Sequence, residues 1–200
     1  YRAAGNIVTA DLYKNKVEQA IDKIAVGGDP GGRTLAAGRE VGAYVMAADL
    51  IGYRPQAFLN WVTSMINTYV LDGNTMLSTF HDRPNNWGTM NFGSLAAMYW
   101  YLNDNANMTN VRNYFVAAIT PSAADPGHSY GDLSWQAQNV PKIINGCNTS
   151  KQGMDLDGLL PEEMRRGGPF SIPPAHTGYA WEGMQGIVVG ARVFERYGAS

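Results

Sequence analysis

Tyr179-Ala180-Trp181-Glu182-Gly183-Met184-Gln185-Gly186-Ile187-Val188-Val189-Gly190-Ala191-Arg192-Val193-Phe194-Glu195-Arg196-Tyr197 is the stretch whose reading decides the fold. Met184, Ile187, Val188, Ala191, Val193 and Phe194 recur at helical spacing, and Arg192, Glu195 and Arg196 fall on the other side, which predicts a helix with one buried face. The same period recurs upstream. Leu12, Val17, Ala20, Ile21 and Ile24 predict a helix over 11–24, stopped by Gly27-Gly28-Asp29-Pro30-Gly31-Gly32. Thr34 reads as the N-cap of a second helix that carries Leu35, Val41, Tyr44, Val45, Ala48 and Ile51 and ends at Gly52. Pro55 opens a third, with Phe58, Leu59, Val62, Met65, Ile66 and Tyr69 inside and an end near Val70.

Residues 72–88 lose this period and read as a loop. Leu95, Met98, Tyr99 and Leu102 then resume a helix whose small residues Gly93, Ser94, Ala96 and Ala97 allow another helix to approach closely, and a shorter helix follows over 109–119. The stretch 120–168 reads as loops with one helix near 133–144, a reading that Pro141 opposes. Sustained strand alternation is nearly absent, and no repeat identifies a named solenoid. The expectation is an all-α domain over 1–200, built of helical hairpins joined by functional loops.

Composition narrows the function classes. The chain has 200 residues, 45% hydrophobic and 16% charged, a globular balance that argues against disorder. Fifteen basic and 17 acidic residues give a net charge of −2 and a pI near 5.9, so no global positive field draws it to nucleic acid or anionic lipid. The single Cys147 excludes an internal disulfide framework and multi-thiolate metal sites. No apolar run approaches the roughly 18 residues of a membrane span. The start at Tyr1, without an initiator methionine, fits removal of a signal peptide or an upstream domain, and the chain reads as one helical catalytic domain, whole or part of a larger chain. The 23 glycines and 10 prolines imply shaped loops, where binding and catalysis concentrate.

Two loops gather the chemistry. The first is Phe80-His81-Asp82-Arg83-Pro84-Asn85-Asn86-Trp87-Gly88, directly ahead of a helix. The plainer alternative is that Asn85 or Asn86 is only an N-cap worth about 1 kcal/mol, but capping does not require the second Asn, the Trp and the His together. The second is Asp157-Gly158-Leu159-Leu160-Pro161-Glu162-Glu163-Met164-Arg165-Arg166-Gly167-Gly168, followed by 169–178 and the Tyr179 helix. Adjacent guanidiniums beside glycines suit a carboxylate or phosphate. The plainer alternative is a solvated charged turn of i,i+3 pairs worth a few tenths of a kcal/mol.

Together the two loops resemble the alginate lyase group of polysaccharide lyases, which are toroids of helical hairpins. That family carries Asn-Asn-His with an aromatic before an inner helix, and Asp-Gly-x-Leu-Pro-x-Glu-x-x-Arg leading to a Tyr. Here these become Asn85-Asn86-Trp87-Gly88 and Asp157–Arg166 with Tyr179, and Arg39–Leu50 resembles the family's upstream helix. About 25 residues carry the likeness.

The resemblance implies β-elimination on an alginate-like, uronate-containing polysaccharide by a secreted or periplasmic enzyme with no metal and no cofactor. Such a reaction needs the sugar carboxylate neutralised, a base for the C5 proton and an acid for the leaving oxygen. By carry-over Asn86 neutralises the carboxylate, Arg166 is the cation beside the tyrosine, and Tyr179 is the acid, with the base either Tyr179 itself or a histidine. A tyrosine with a reference pKa near 10 needs such a cation to ionise. Two departures stand out: Trp87 replaces the histidine and cannot act as a base, and the Arg166–Tyr179 interval is longer than in the family and contains His176. His176 and His81 are therefore alternative acid/base residues. Asn85, Trp87, Arg83, Arg165 and Trp181 are expected substrate contacts.

The same residues admit rival readings. His81, Asp82, Asp125 and His128 match no zinc spacing, and 125–132 and 155–157 lack the calcium-loop pattern, so no metal is expected. A glycosidase would need paired carboxylates, one in an apolar setting, and Glu162, Glu163, Asp82 and Asp49 show no such setting in sequence. A non-catalytic carbohydrate-binding or assembly module would use Trp61, Trp87, Trp100, Trp135 and Trp181 as stacking platforms, although Trp61 and Trp100 lie in helical patterns that read as core.

Overall fold

A computed structural model describes residues 5–28 and 31–196. The helices are α1 (Ile7–Gly27), α2 (Thr34–Ile51), α3 (Gln56–Asn67), α4 (Met76–Asp82), α5 (Asn86–Tyr101), α6 (Asn105–Ile119), α7 (Pro161–Met164) and α8 (Tyr179–Arg196). The strands β1 (Ser150–Lys151) and β2 (Met154–Asp155) pair antiparallel as a minimal hairpin. The chain is thus all-α, and no helix of the described residues is long and apolar enough to cross a membrane.

Helix α5 organises the core. It is buried along its whole length except at Trp87 and Trp100, and it packs chiefly between α2 and α8. Small residues make that possible. Ser94 Oγ sits against α2, donating to the Gly38 carbonyl at 2.6 Å and accepting from the Gly42 amide at 3.0 Å, where a Cβ on Gly42 would lie 2.5 Å from that oxygen. On the other flank a Cβ on Gly186 would stand 2.3 Å from the Thr89 backbone, and one on Gly190 2.0 Å from the Phe92 ring. The close approach read from the small residues of α5 is matched by glycines on both neighbours. Around this sandwich Phe58 stacks on Trp61 and Phe92 on Phe115, with ring centroids 5.5 and 3.8 Å apart.

Several expectations need correction. The first helix runs to Ile7 and Gly27, beyond 11–24, and Leu12 is exposed. Of the glycine loop that follows it, Asp29 and Pro30 lie outside the described residues, as does the expected end of α8 at Tyr197. Thr34 is the first helical residue and not the cap: its N–H and Oγ1 both donate to Asp72 Oδ2, at 3.1 and 2.9 Å, so a distant carboxylate closes the helix start. Helix α3 ends at Asn67, which leaves Tyr69 exposed. The supposed loop at 72–88 contains α4, started by a capping box in which Ser78 replaces the usual Glu: Ser78 N donates to Thr75 Oγ1 at 2.9 Å and Thr75 N to Ser78 Oγ at 3.0 Å. Helix α6 begins at Asn105 and not near Thr109. Val188 and Ala191 of α8 face solvent.

The helix expected over 133–144 is only a 3-10 turn at Leu133–Trp135. Side chains take the backbone instead. Gln136 Oε1 accepts from Lys142 N and its Nε2 donates to Lys142 O, both at 3.0 Å, while the buried Lys142 Nζ donates to the carbonyls of Ala117 (3.0 Å) and Ala123 (2.8 Å). Asn145 Nδ2 donates to Trp135 O at 3.0 Å, and Trp135 Nε1 to Gly168 O at 2.8 Å. Trp135 and Trp61 are therefore core residues and not stacking platforms.

Candidate functional site

The start of α5 brings the two loops together. Asn85 is the N-cap, its Oδ1 accepting from Trp87 N at 3.1 Å, which leaves Asn86 free for another task. Asn86 is 0% exposed. Its backbone N–H, an orphan donor of the helix start, donates to Glu163 Oε1, and its Nδ2 donates to Glu182 Oε2 at 2.6 Å. The other oxygen of Glu182 pairs with Arg39 Nη2 at 2.6 Å, which ties α2 and α8 to the same point.

Pro161 sets the geometry on the far side. It opens α7 with Glu162 and Glu163 in the first turn, and both are buried. Glu162 accepts from Gly131 N at 2.9 Å and from Arg165 Nε at 2.6 Å. Gly183 lets Glu163 in, since a Cβ there would lie 3.1 Å from Glu163 Oε1. The alternative of a solvated charged turn holds only for its i,i+3 pair Glu162–Arg165 and the exposed Arg166, since both glutamates are buried, and the reading that no carboxyl has a pKa-raising setting is overturned. Burial above all pushes Glu163 up to about 7, against the lowering pull of the Asn86 N–H and Arg166 and with help from Glu162 and Glu182. Asn86 Oδ1 and Glu163 Oε2 are buried with no hydrogen-bond partner among the described residues.

Arg166 links this cluster to the surface. It is close enough to Glu163 to lower its pKa, and its guanidinium lies 4.1 Å from the Tyr179 ring centroid. Tyr179 is 41% exposed and Trp181 82%. Arg83 covers the Trp87 ring at 4.7 Å. Asn86 thus touches Glu163, Arg166 touches Tyr179, and the charge of Arg166 is felt at Glu163. Arg165 is spent on Glu162, and Asn86 is closed off from solvent, so neither side chain is free at the surface.

The two histidines stand elsewhere. His176 is exposed on the segment between Gly168 and α8. His81 stands in the last turn of α4, its ring 4.4 Å from Tyr114, whose hydroxyl donates to the His81 carbonyl at 2.5 Å. Beside it the buried His128 meets Asp125 Oδ2 at 3.3 Å, and Tyr130 donates to the same oxygen at 2.8 Å. Burial lowers the pKa of both His81 and His128. No bond among the described residues joins either His81 or His176 to Asn86, Arg166 or Tyr179. Nor does any group of three or more His, Cys, Asp or Glu side chains there stand ready for a metal ion.

Two cavities lie away from the carboxylate cluster. One of about 540 Å³ lies between α2 and α8, lined by Val45, Met46, Trp100, Val188 and Arg192 among others. The other, about 390 Å³, is lined by His81, Tyr99, Tyr114 and three asparagines of α6. The chain matches no family model, no curated protein and no solved structure. Sequence reasoning missed Arg39, Glu182 and, above all, Glu163; the apolar Leu159-Leu160-Pro161 ahead of the glutamates was the signal that the turn faces inward.

Proposed function

We propose that the chain cleaves a uronate-containing, alginate-like polysaccharide by β-elimination at the head of α8, as a secreted or periplasmic lyase domain of the helical-hairpin toroid type. The observation that carries this is the Arg166–Tyr179 stack beside the Asn86–Glu163 contact. In this reading Arg166 meets the substrate carboxylate and withdraws charge from it, which acidifies the neighbouring C5 hydrogen. The Tyr179 phenolate takes that proton, the C4–O4 bond breaks as the C4=C5 double bond forms, and the phenol returns the proton to the leaving oxygen. Asn86 takes a different part from the one its motif implies: buried, it acts through Glu182, which it holds beside Arg39.

Hydrolysis with Glu163 as the general acid is disfavoured, since at 1% exposure its carboxyl lies beneath the surface. A non-catalytic carbohydrate-binding module is the second reading, favoured by the open indole of Trp181. Ultraviolet absorbance of unsaturated uronate separates the two across a panel of uronate polymers. The lyase reading expects a rise that Tyr179→Phe abolishes while binding persists, and that Arg166→Ala loses together with binding. Binding without any rise favours the module, and full turnover by Tyr179→Phe removes that residue from the reaction.

A further inference from the structure

Three carboxylates and three guanidiniums crowd the start of α5, and they are not matched evenly. Glu162, on the same helix as Glu163, has Arg165 at 2.6 Å, and Glu182 on α8 has Arg39 at 2.6 Å. Glu163 has only Arg166, which is exposed and committed to the Tyr179 ring. Ionised, it would be the one carboxylate of the three that is both buried and without its own cation, a costly state. The two residues that meet through the Asn86 N–H also share a second unmet need. Asn86 Oδ1 and Glu163 Oε2 are both buried acceptors without donors, while Glu163 Oε1 already rests on the backbone N–H of Asn86. The amide of Asn86 cannot simply be turned over, because its Nδ2 is the donor that Glu182 requires.

We propose that Glu163 carries a proton on Oε2 and donates it to Asn86 Oδ1, a buried acid–amide pair that makes Glu163 a positioning residue for Asn86 and, through it, for Glu182. One hydrogen then satisfies both orphaned oxygens and removes the unpaired charge. The elevated pKa of about 7 accords with this arrangement. Four groups face Glu163: Glu162 of α7 and Glu182 of α8 favour the protonated form, and Arg166 and the Asn86 N–H oppose it. Loss of the proton leaves both acceptors bare and loosens the hold on Glu182. The pair itself rests on the fold alone; its effect on turnover rests on the lyase reading above.

Infrared spectroscopy of the free protein in heavy water tests the pair without substrate. A protonated-carboxyl stretch near pH 6, lost by about pH 9 and missing in Glu163→Gln, is expected, because ordinary carboxyls are ionised across that range. Identical spectra from wild type and Glu163→Gln overturn the pair. If Glu163→Gln does not fold, the wild-type band alone decides, and its absence near pH 6 overturns the pair. On a uronate polymer, wild-type turnover should fall as pH rises through about 7, and Glu163→Gln, whose amide keeps a donor for Asn86, should flatten that limb while keeping activity within about tenfold. An unchanged limb in the variant overturns the positioning role. The band without any cleavage leaves the pair standing and removes the lyase reading.

Discussion

The α2–α5–α8 sandwich and the segment 120–168 are held by opposite means. In the sandwich, backbone bonds are satisfied within each helix, and glycines and serine bring helices together until a single methyl has no room. In the segment, regular structure is short, and Gln136, Lys142, Asn145 and Trp135 take up the backbone with side-chain bonds. Packing by shape leaves a repeating trace in sequence, whereas a side chain that bonds one particular carbonyl leaves none. The candidate site lies where the two meet, with Asn86 from the sandwich and Glu163 from the end of the segment.

That contrast breaks most severely under Gly186→Ala. The added methyl meets Thr89 backbone at 2.3 Å, so a loss of about 3 kcal/mol or more is expected in chemical denaturation. Gly178→Ala, with nothing within 4 Å, should be neutral or slightly stabilising. Lys142→Ala tests the segment instead. It strands the carbonyls of Ala117 and Ala123 and should cost about 2 kcal/mol, seen as faster amide exchange across 136–145 more than as a lower global midpoint.

At the joint, the sign of the pH dependence is diagnostic. The folded pKa of Glu163, about 7, lies above its ordinary value of 4.5, so between those values the folded state holds the proton more tightly than the unfolded chain. Stability should fall as pH rises through that window, by about 3 kcal/mol at most, and level off above it. Denaturation at a series of pH values should show that slope in wild type and its absence in Glu163→Gln. Only a small effect is expected from Arg39→Ala. Its bridge to Glu182 is about two-fifths exposed on both sides, and its loss should change stability by less than about 1 kcal/mol, and by less still in high salt.

Legibility in the sequence follows the same division. Helices α2, α3, α5 and α8 were visible because a buried face repeats every three to four residues, and Gly52 ends α2 in the left-handed conformation, at φ 67°. Seven-residue α4 was too short to show a period, and the Thr34 start could not be assigned because its partner Asp72 lies 38 residues away. Within the site, Asn85 and the Arg166–Tyr179 pairing were readable from motif position. The inward turn of Glu162 and Glu163 was marked only by the apolar Leu159-Leu160-Pro161 ahead of it, because charged residues after a proline look the same by themselves whether they face water or a helix end.

The sequence by itself determined that this chain is helical and where most helices run, because periodicity is a local property that burial of one face imposes on nearby residues. Only the tertiary structure decided which carboxylate lost its water, which amide capped which helix, and that Glu163 meets Asn86 across 77 residues of chain. Those outcomes depend on which groups arrive beside one another after packing, and desolvation, which sets their charge, has no value until the neighbours are in place.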